Sequence, residues 1–139
     1  REVNKKKGVP ILWTLAHILG SPQMQKIASL PYEVSVILYI TPQRVRALKQ
    51  YDKVGTAEVV EIPDVREVVR GCRENNTNQV ILVHNHPSIK GVHDASPSEA
   101  DLIATRKFMD DLRKLGIVLL DHIIVSQKNY FSFKENNLI

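Results

Sequence analysis

The sequence predicts a layered α/β or α+β domain, and three observations point there. Runs rich in β-branched and aromatic residues alternate with stretches whose apolar residues recur at helical spacing. The 139 residues suit one domain. With 43% hydrophobic residues, the chain can build one core without disulfides, and its single cysteine, Cys72, allows none.

The first helix is expected over 10–19, where Ile11, Leu12, Leu15, Ile18 and Leu19 share a stripe between Pro10 and Gly20. His17 beside that stripe reads as a structural histidine. A short helix near 22–29 ends before Pro31. Residues 33–40 form a strand stopped by Pro42, with Val34, Val36, Leu38 and Ile40 on one face and Glu33, Ser35, Ile37 and Tyr39 on the other. One or two strands follow over 44–61, broken near Gly55. Pro63 and Asp64 open a helix over 64–75, closed by Asn75-Asn76.

Gln79 to Val83 is a short apolar run of the kind buried on both faces, and it leads straight into His84. Residues 85–97 read as loop, marked by Pro87, Gly91 and Pro97. A long helix then reaches about residue 115. Ser96 is its expected N-cap, Pro97 its first position and Glu99 the capping-box partner, with Leu102, Met109, Leu112 and Leu115 inward and Gly116 as terminator. Strands over 117–125 and 130–134 complete the domain.

Lys and Arg number 19 against 15 Asp and Glu, formally +4, with a pI of about 9.3. Residues 1–7 carry four positive charges and one negative; residues 43–53 hold Arg44, Arg46, Lys49 and Lys53 against Asp52. Each patch nets +3, so the remainder sums to 4 − 3 − 3 = −2. The start therefore reads as a solvated basic tail (residues 1–9) before a single domain (10–139), and a nucleic-acid grip is the minority reading. No apolar run approaches the roughly 18 residues of a membrane span and no signal pattern opens the sequence, so a cytoplasmic protein is expected.

Chemistry concentrates in His84-Asn85-His86-Pro87-Ser88 and Ser98-Glu99-Ala100-Asp101. Residues two apart on a strand point the same way, roughly 7 Å apart, which lets two imidazoles converge on one metal. Ser98 and Asp101 lie three apart on one helix face, where the carboxylate offers a third ligand. Ser98-x-x-Asp101 is also a serviceable capping box. Two histidines and one aspartate leave a position for water, the pattern of a catalytic zinc site. The base that such a water needs has three candidates on sequence grounds, Glu33, Glu58 and Glu61. A deaminase-type zinc site needs cysteine ligands, and Cys72 stands alone, as core packing.

These residues resemble the JAMM signature of MPN-type zinc metallopeptidases, and most closely the bacterial RadC-like branch. Val80 to Ser88, Gly116 to Val125, Gly55-Thr56 and Arg66-Glu67-Val68 match that branch in order, over roughly residues 33–134. The resemblance implies a curved mixed β-sheet flanked by helices on both faces, an MPN/JAB-like three-layer fold of the cytidine-deaminase-like kind. It implies Zn²⁺ held by His84, His86 and Asp101, Glu33 as base, and Ser98 steadying the water or the oxyanion. The expected activity is hydrolysis of a peptide or isopeptide bond in a peptide or protein substrate. The alternatives are a non-enzymatic MPN scaffold and a RadC-type DNA-repair-associated module.

Two departures stand out. Eleven residues (87–97) separate His86 from Ser98, more than the family's usual spacer, which brings His93 and Asp94 near the site as accessory ligands, substrate contacts or solvated side chains. The helix-hairpin-helix DNA-binding module common in the family has no match here. Asp121 and His122, inside an apolar strand, read as a hydrogen-bonded structural pair, with His122 a further accessory candidate.

Overall fold

The computed structural model describes residues 11–51, 62–88 and 91–139. The basic tail, the break near Gly55, and Glu58 and Glu61 lie outside these residues.

Helix α1 (Ile11–Gly20) turns at Ser21 into α2 (Pro22–Ala28). Ser21 caps α2 by accepting from Met24 N, and Pro22 takes the first position, where a missing N–H costs nothing. Strand β1 (Ser35–Ile40) pairs antiparallel with β2 (Val45–Tyr51). Helix α3 (Val65–Glu74) is capped by Asp64, as expected, and Asn76 leaves it at φ 52°. Strand β3 (Gln79–Asn85), helix α4 (Glu99–Lys114) and strand β4 (Val118–Val125) form a parallel crossover, and β5 (Tyr130–Ser132) closes the chain. Gly116, at φ 77°, ends α4 in the left-handed region that glycine adopts without a Cβ penalty.

The five strands order as β2-β1-β3-β4-β5, a mixed sheet in which β3 and β4 alone run parallel. Alternation along β1 and β3 splits their residues between two cores. Val34, Val36, Leu38, Ile40, Ile81 and Val83 pack against α1 and α2. Ile37, Tyr39, Val80 and Leu82 pack against Val68 and Cys72 of α3 and Phe108 and Leu112 of α4. Helices thus cover both faces, as the family resemblance implies.

The inward face of α4 differs from expectation. Asp101, Thr105, Phe108 and Leu112 are buried, while Leu102 and Leu115 are 39% and 52% exposed. Two polar residues occupy the core-facing stripe because they serve the end of the sheet, and that rotation carries Leu102 outward. The N-cap also shifts, from Ser96 to Ser98. Asp94 Oδ1 accepts from Ser96 N at 2.8 Å, a local turn that holds Ser96 and Pro97 ahead of the helix.

Candidate metal centre

His84 sits near the carboxyl end of β3, and His86 one residue past it. His86 N donates to Val125 O at 2.8 Å, which continues the line of β3 beside β4 and keeps the two imidazoles on the same side. Helix α4 begins across from them. Ser98 Oγ accepts from Asp101 N at 3.0 Å and Asp101 Oδ2 accepts from Ser98 N at 2.8 Å, a complete capping box. The capping and ligand readings of Ser98-x-x-Asp101 are therefore compatible: the cap fixes the carboxylate, and the same carboxylate faces both histidines.

His84 Nε2 lies 3.2 Å from His86 Nε2 and 3.6 Å from Asp101 Oδ1, and His86 Nε2 lies 3.4 Å from Asp101 Oδ2. Donors held at about 2.0–2.1 Å from a tetrahedral zinc are spaced about 3.3 Å from one another. The histidine–histidine distance falls close to that value, each histidine contacts a different oxygen of Asp101 at a similar distance, and one donor atom from each residue lies within 4.8 Å of the others, so the group can hold a single ion. The three residues form the one His/Cys/Asp/Glu group of this kind among the described residues.

The electrostatics suit a cation. Burial lowers the His84 pKa to about 4, so its ring is neutral and able to ligate at neutral pH. Burial is the largest influence on His86 and opposes its charged form, but the hydrogen bond and charge of Asp101, the Asp94 carbonyl and the Glu33 charge together outweigh it and raise that pKa. Burial alone would raise Asp101; the His86 hydrogen bond, the nearby His84 and the bonds from Ser98 hold it well below the usual carboxylate range. Two imidazoles and one persistent carboxylate are the donor set of a borderline-soft divalent ion.

Glu33 precedes β1, and its backbone is gripped from both sides. Asn85, fully buried between the two histidines and turned the other way, accepts from Val34 N at 2.7 Å and donates to Tyr32 O at 2.9 Å. The Glu33 carboxyl is near enough for His86 and Asp101 to act on it. Partial burial raises its pKa first, His86 opposes this, and Asp101 adds to it. A carboxyl raised toward neutrality is suited to proton transfer.

The accessory candidates are not in the three-residue group. His93 Nδ1 meets Ser88 Oγ at 2.6 Å. The Asp94 side chain is spent on Ser96, but its carbonyl faces His86 Nδ1 at 3.2 Å and so orients that ring. Ala95, buried among Ile124 and Phe133, pins the long loop onto β4 and β5. His17 is exposed on α1. Cys72 packs in the core as expected, and burial pushes its thiol pKa up.

Asp121 and His122 do not form a side-chain pair, because neighbours on a strand point to opposite faces. Asp121 accepts from Ser132 Oγ at 2.6 Å, Lys134 N at 2.9 Å and its neighbour's backbone N–H at 2.7 Å, which ties β4 to β5. The His122 ring lies behind His84, with Nε2 2.7 Å from His84 Nδ1 and Nδ1 2.6 Å from Thr105 Oγ, stacked on Phe133. Asn85 and Thr105 were not legible as site residues. The available signals were a polar residue inside a doubly buried strand and a threonine four positions after Asp101.

Residues 16–138 match the RadC-like JAB domain family. Curated relatives include a UPF0758 protein of Streptococcus suis (strain 98HAH33), 33% identical over 119 residues, 86% of this chain and 46% of the relative. One from Pseudoalteromonas translucida (strain TAC 125) is 38% identical over 118 residues, 82% and 49% of the two chains. A third, from Staphylococcus carnosus (strain TM300), is 32% identical over 140 residues, 96% and 59%. The chain spans about half the length of the curated relatives it matches. Its mixed sheet, its His-x-His strand end and this match over nearly its whole length agree: the chain belongs to the RadC-like JAB domain family.

Proposed function

We propose that this domain is a zinc-dependent metallohydrolase of the JAMM type that cleaves a peptide or isopeptide bond in a peptide or protein substrate. The observation that carries the reading is the convergence of His84, His86 and Asp101, with one donor atom from each within 4.8 Å of the others, beside a glutamate whose pKa is raised. Zinc held there supplies Lewis acidity, polarising a carbonyl and acidifying a water. Glu33 takes the proton of the attacking water and delivers it to the leaving amine. Ser98, its Oγ already accepting from Asp101 N, keeps its hydroxyl proton for the oxyanion that develops on the carbonyl. Asn85 holds the Glu33 backbone against the histidine strand. Among the described residues no helix is long and apolar enough to cross a membrane.

The test uses the zinc-loaded chain and a library of internally quenched peptides and isopeptide-linked lysine substrates, read by fluorescence and mass spectrometry. Glu33→Gln should keep one zinc per chain and lose turnover. Zinc bound with no turnover in the wild type points instead to a scaffold. A wild type that binds no zinc, with His86→Ala indistinguishable from it, removes the site.

A further inference from the structure

We propose that Thr105 and His122 are positioning residues that fix the tautomer of His84, so that Nε2 is the nitrogen offered to the metal. The inference rests on the metal-centre reading above and assigns a role to two residues behind it. It follows from proton counting along one buried chain of contacts.

Thr105 Oγ lies 2.7 Å from the main-chain oxygen of Asp101, one helical turn back. Two lone-pair oxygens at that distance need a proton between them, so the single hydroxyl proton of Thr105 points to Asp101 O. Toward His122 Nδ1, at 2.6 Å, the hydroxyl can then only accept, and Nδ1 carries a hydrogen. His122 is fully buried, with its ring stacked on Phe133 at 4.5 Å. Its two nitrogens face a hydroxyl and another imidazole, and a charged ring is disfavoured there. Its Nε2 is therefore a lone pair, and at 2.7 Å it accepts from His84 Nδ1–H. That leaves the Nε2 lone pair of His84 on the side of the triangle, 3.2 Å from His86 Nε2 and 3.6 Å from Asp101 Oδ1. The chain of contacts closes on itself, because Asp101 anchors it with its backbone and completes the triangle with its side chain.

The two imidazoles are thus oriented by different devices. A buried side-chain relay holds His84, whereas a backbone carbonyl of the long loop faces His86 Nδ1. Outer partners of ligating histidines set ring orientation and basicity, and their loss commonly costs 10–100-fold in metal affinity.

The experiment has two parts. Long-range ¹H–¹⁵N NMR of zinc-free, ¹⁵N-histidine-labelled wild type should show both His84 and His122 protonated on Nδ1. Finding His84 protonated on Nε2 overturns the proposal, whether or not zinc binds. Zinc affinity is then measured by competition with a chromophoric chelator. Thr105→Val should weaken binding about 10–100-fold and mix the His84 tautomers, and Thr105→Ser should restore both. If the wild type binds zinc and a folded Thr105→Val matches it in affinity and tautomer, the relay is refuted and the metal centre stands. If the wild type binds no zinc, the metal reading fails while the tautomer measurement still decides the relay. If Thr105→Val does not fold, the wild-type spectrum decides it.

Discussion

Asp101 closes the capping box of α4 and faces both histidines with one carboxylate, and two substitutions separate the capping role from the proposed ligand role. Its Oδ2 accepts from Ser98 N at 2.8 Å, while Oδ1 and Oδ2 lie 3.6 and 3.4 Å from the histidine nitrogens. Asp101→Asn keeps an oxygen for the Ser98 N–H and removes the charge; Asp101→Ala removes both. In zinc-free protein at pH 7.5, losing this one bond of the capping box, with Ser98 Oγ still accepting from the residue-101 backbone N–H, should cost about 1 kcal/mol. For a domain of this size that is a melting temperature lower by about 4 °C in the alanine variant, with a smaller change in the asparagine variant. Zinc affinity should not follow that order. Removing a ligand must cost more than the 10–100-fold typical of an outer-shell partner, so both variants should fall by more than about two orders of magnitude in chelator competition. If Asp101→Asn binds zinc within threefold of wild type, Asp101 is only a cap and the metal reading is wrong. Equal melting temperatures for the two variants would instead remove the capping role.

Three further outcomes are expected. In zinc-free protein, His84 has a folded pKa of about 4 against an ordinary value near 6.5, so its stabilising contribution is intact above pH 6.5 and is lost as pH falls toward 4. At about 1.4 kcal/mol per unit this amounts to roughly 3 kcal/mol; His122 adds in the same direction and His86, whose pKa is raised, opposes it. Urea midpoints at pH 7 and pH 4.5 measure the net, and a protein more stable at the lower pH would contradict this assignment. Asn85→Ala strands the buried Val34 N–H and frees Tyr32 O, so stability should fall by about 1–3 kcal/mol while zinc stoichiometry stays at wild type. Gly71→Ala places a Cβ 2.1 Å from the Tyr39 ring carbon Cζ, and Tyr39 is only 2% exposed. The overpacking cost of about 1–3 kcal/mol should exceed the roughly 1 kcal/mol of helix propensity gained, which a calorimetric comparison would show as net destabilisation.

Much of this was legible because period and pattern agree. Alternation along residues 34–40 names both sheet faces correctly, the apolar run 80–83 is buried on both, and the His84-x-His86 spacing sends two rings the same way. The errors have separate causes. Leu102 fits the hydrophobic period of α4, yet the helix turns Asp101 and Thr105 inward to serve the triangle, so the apolar period gives the wrong face. Ser96-Pro97 is as good a helix start as Ser98, and the deciding contact is the Asp94 side chain on Ser96 N. The partners of Asn85 lie 51 and 53 residues away, beyond the reach of any local pattern.

The placement of these groups along the chain has a kinetic consequence. His84 and Asp101 are 17 positions apart, within one strand–loop–helix unit, whereas Glu33 reaches them through a clasp that closes across 51 residues. Loop-closure entropy grows as the logarithm of length, and this ratio of spans disfavours the longer closure by about 1 kcal/mol. During folding the three donors therefore have the head start, and the glutamate arrives only when β1 docks beside β3. If the proposed metal and base roles hold, a chain folding in this order would bring its three donors together before Glu33, so that an incompletely folded copy would bind the ion ahead of gaining its base.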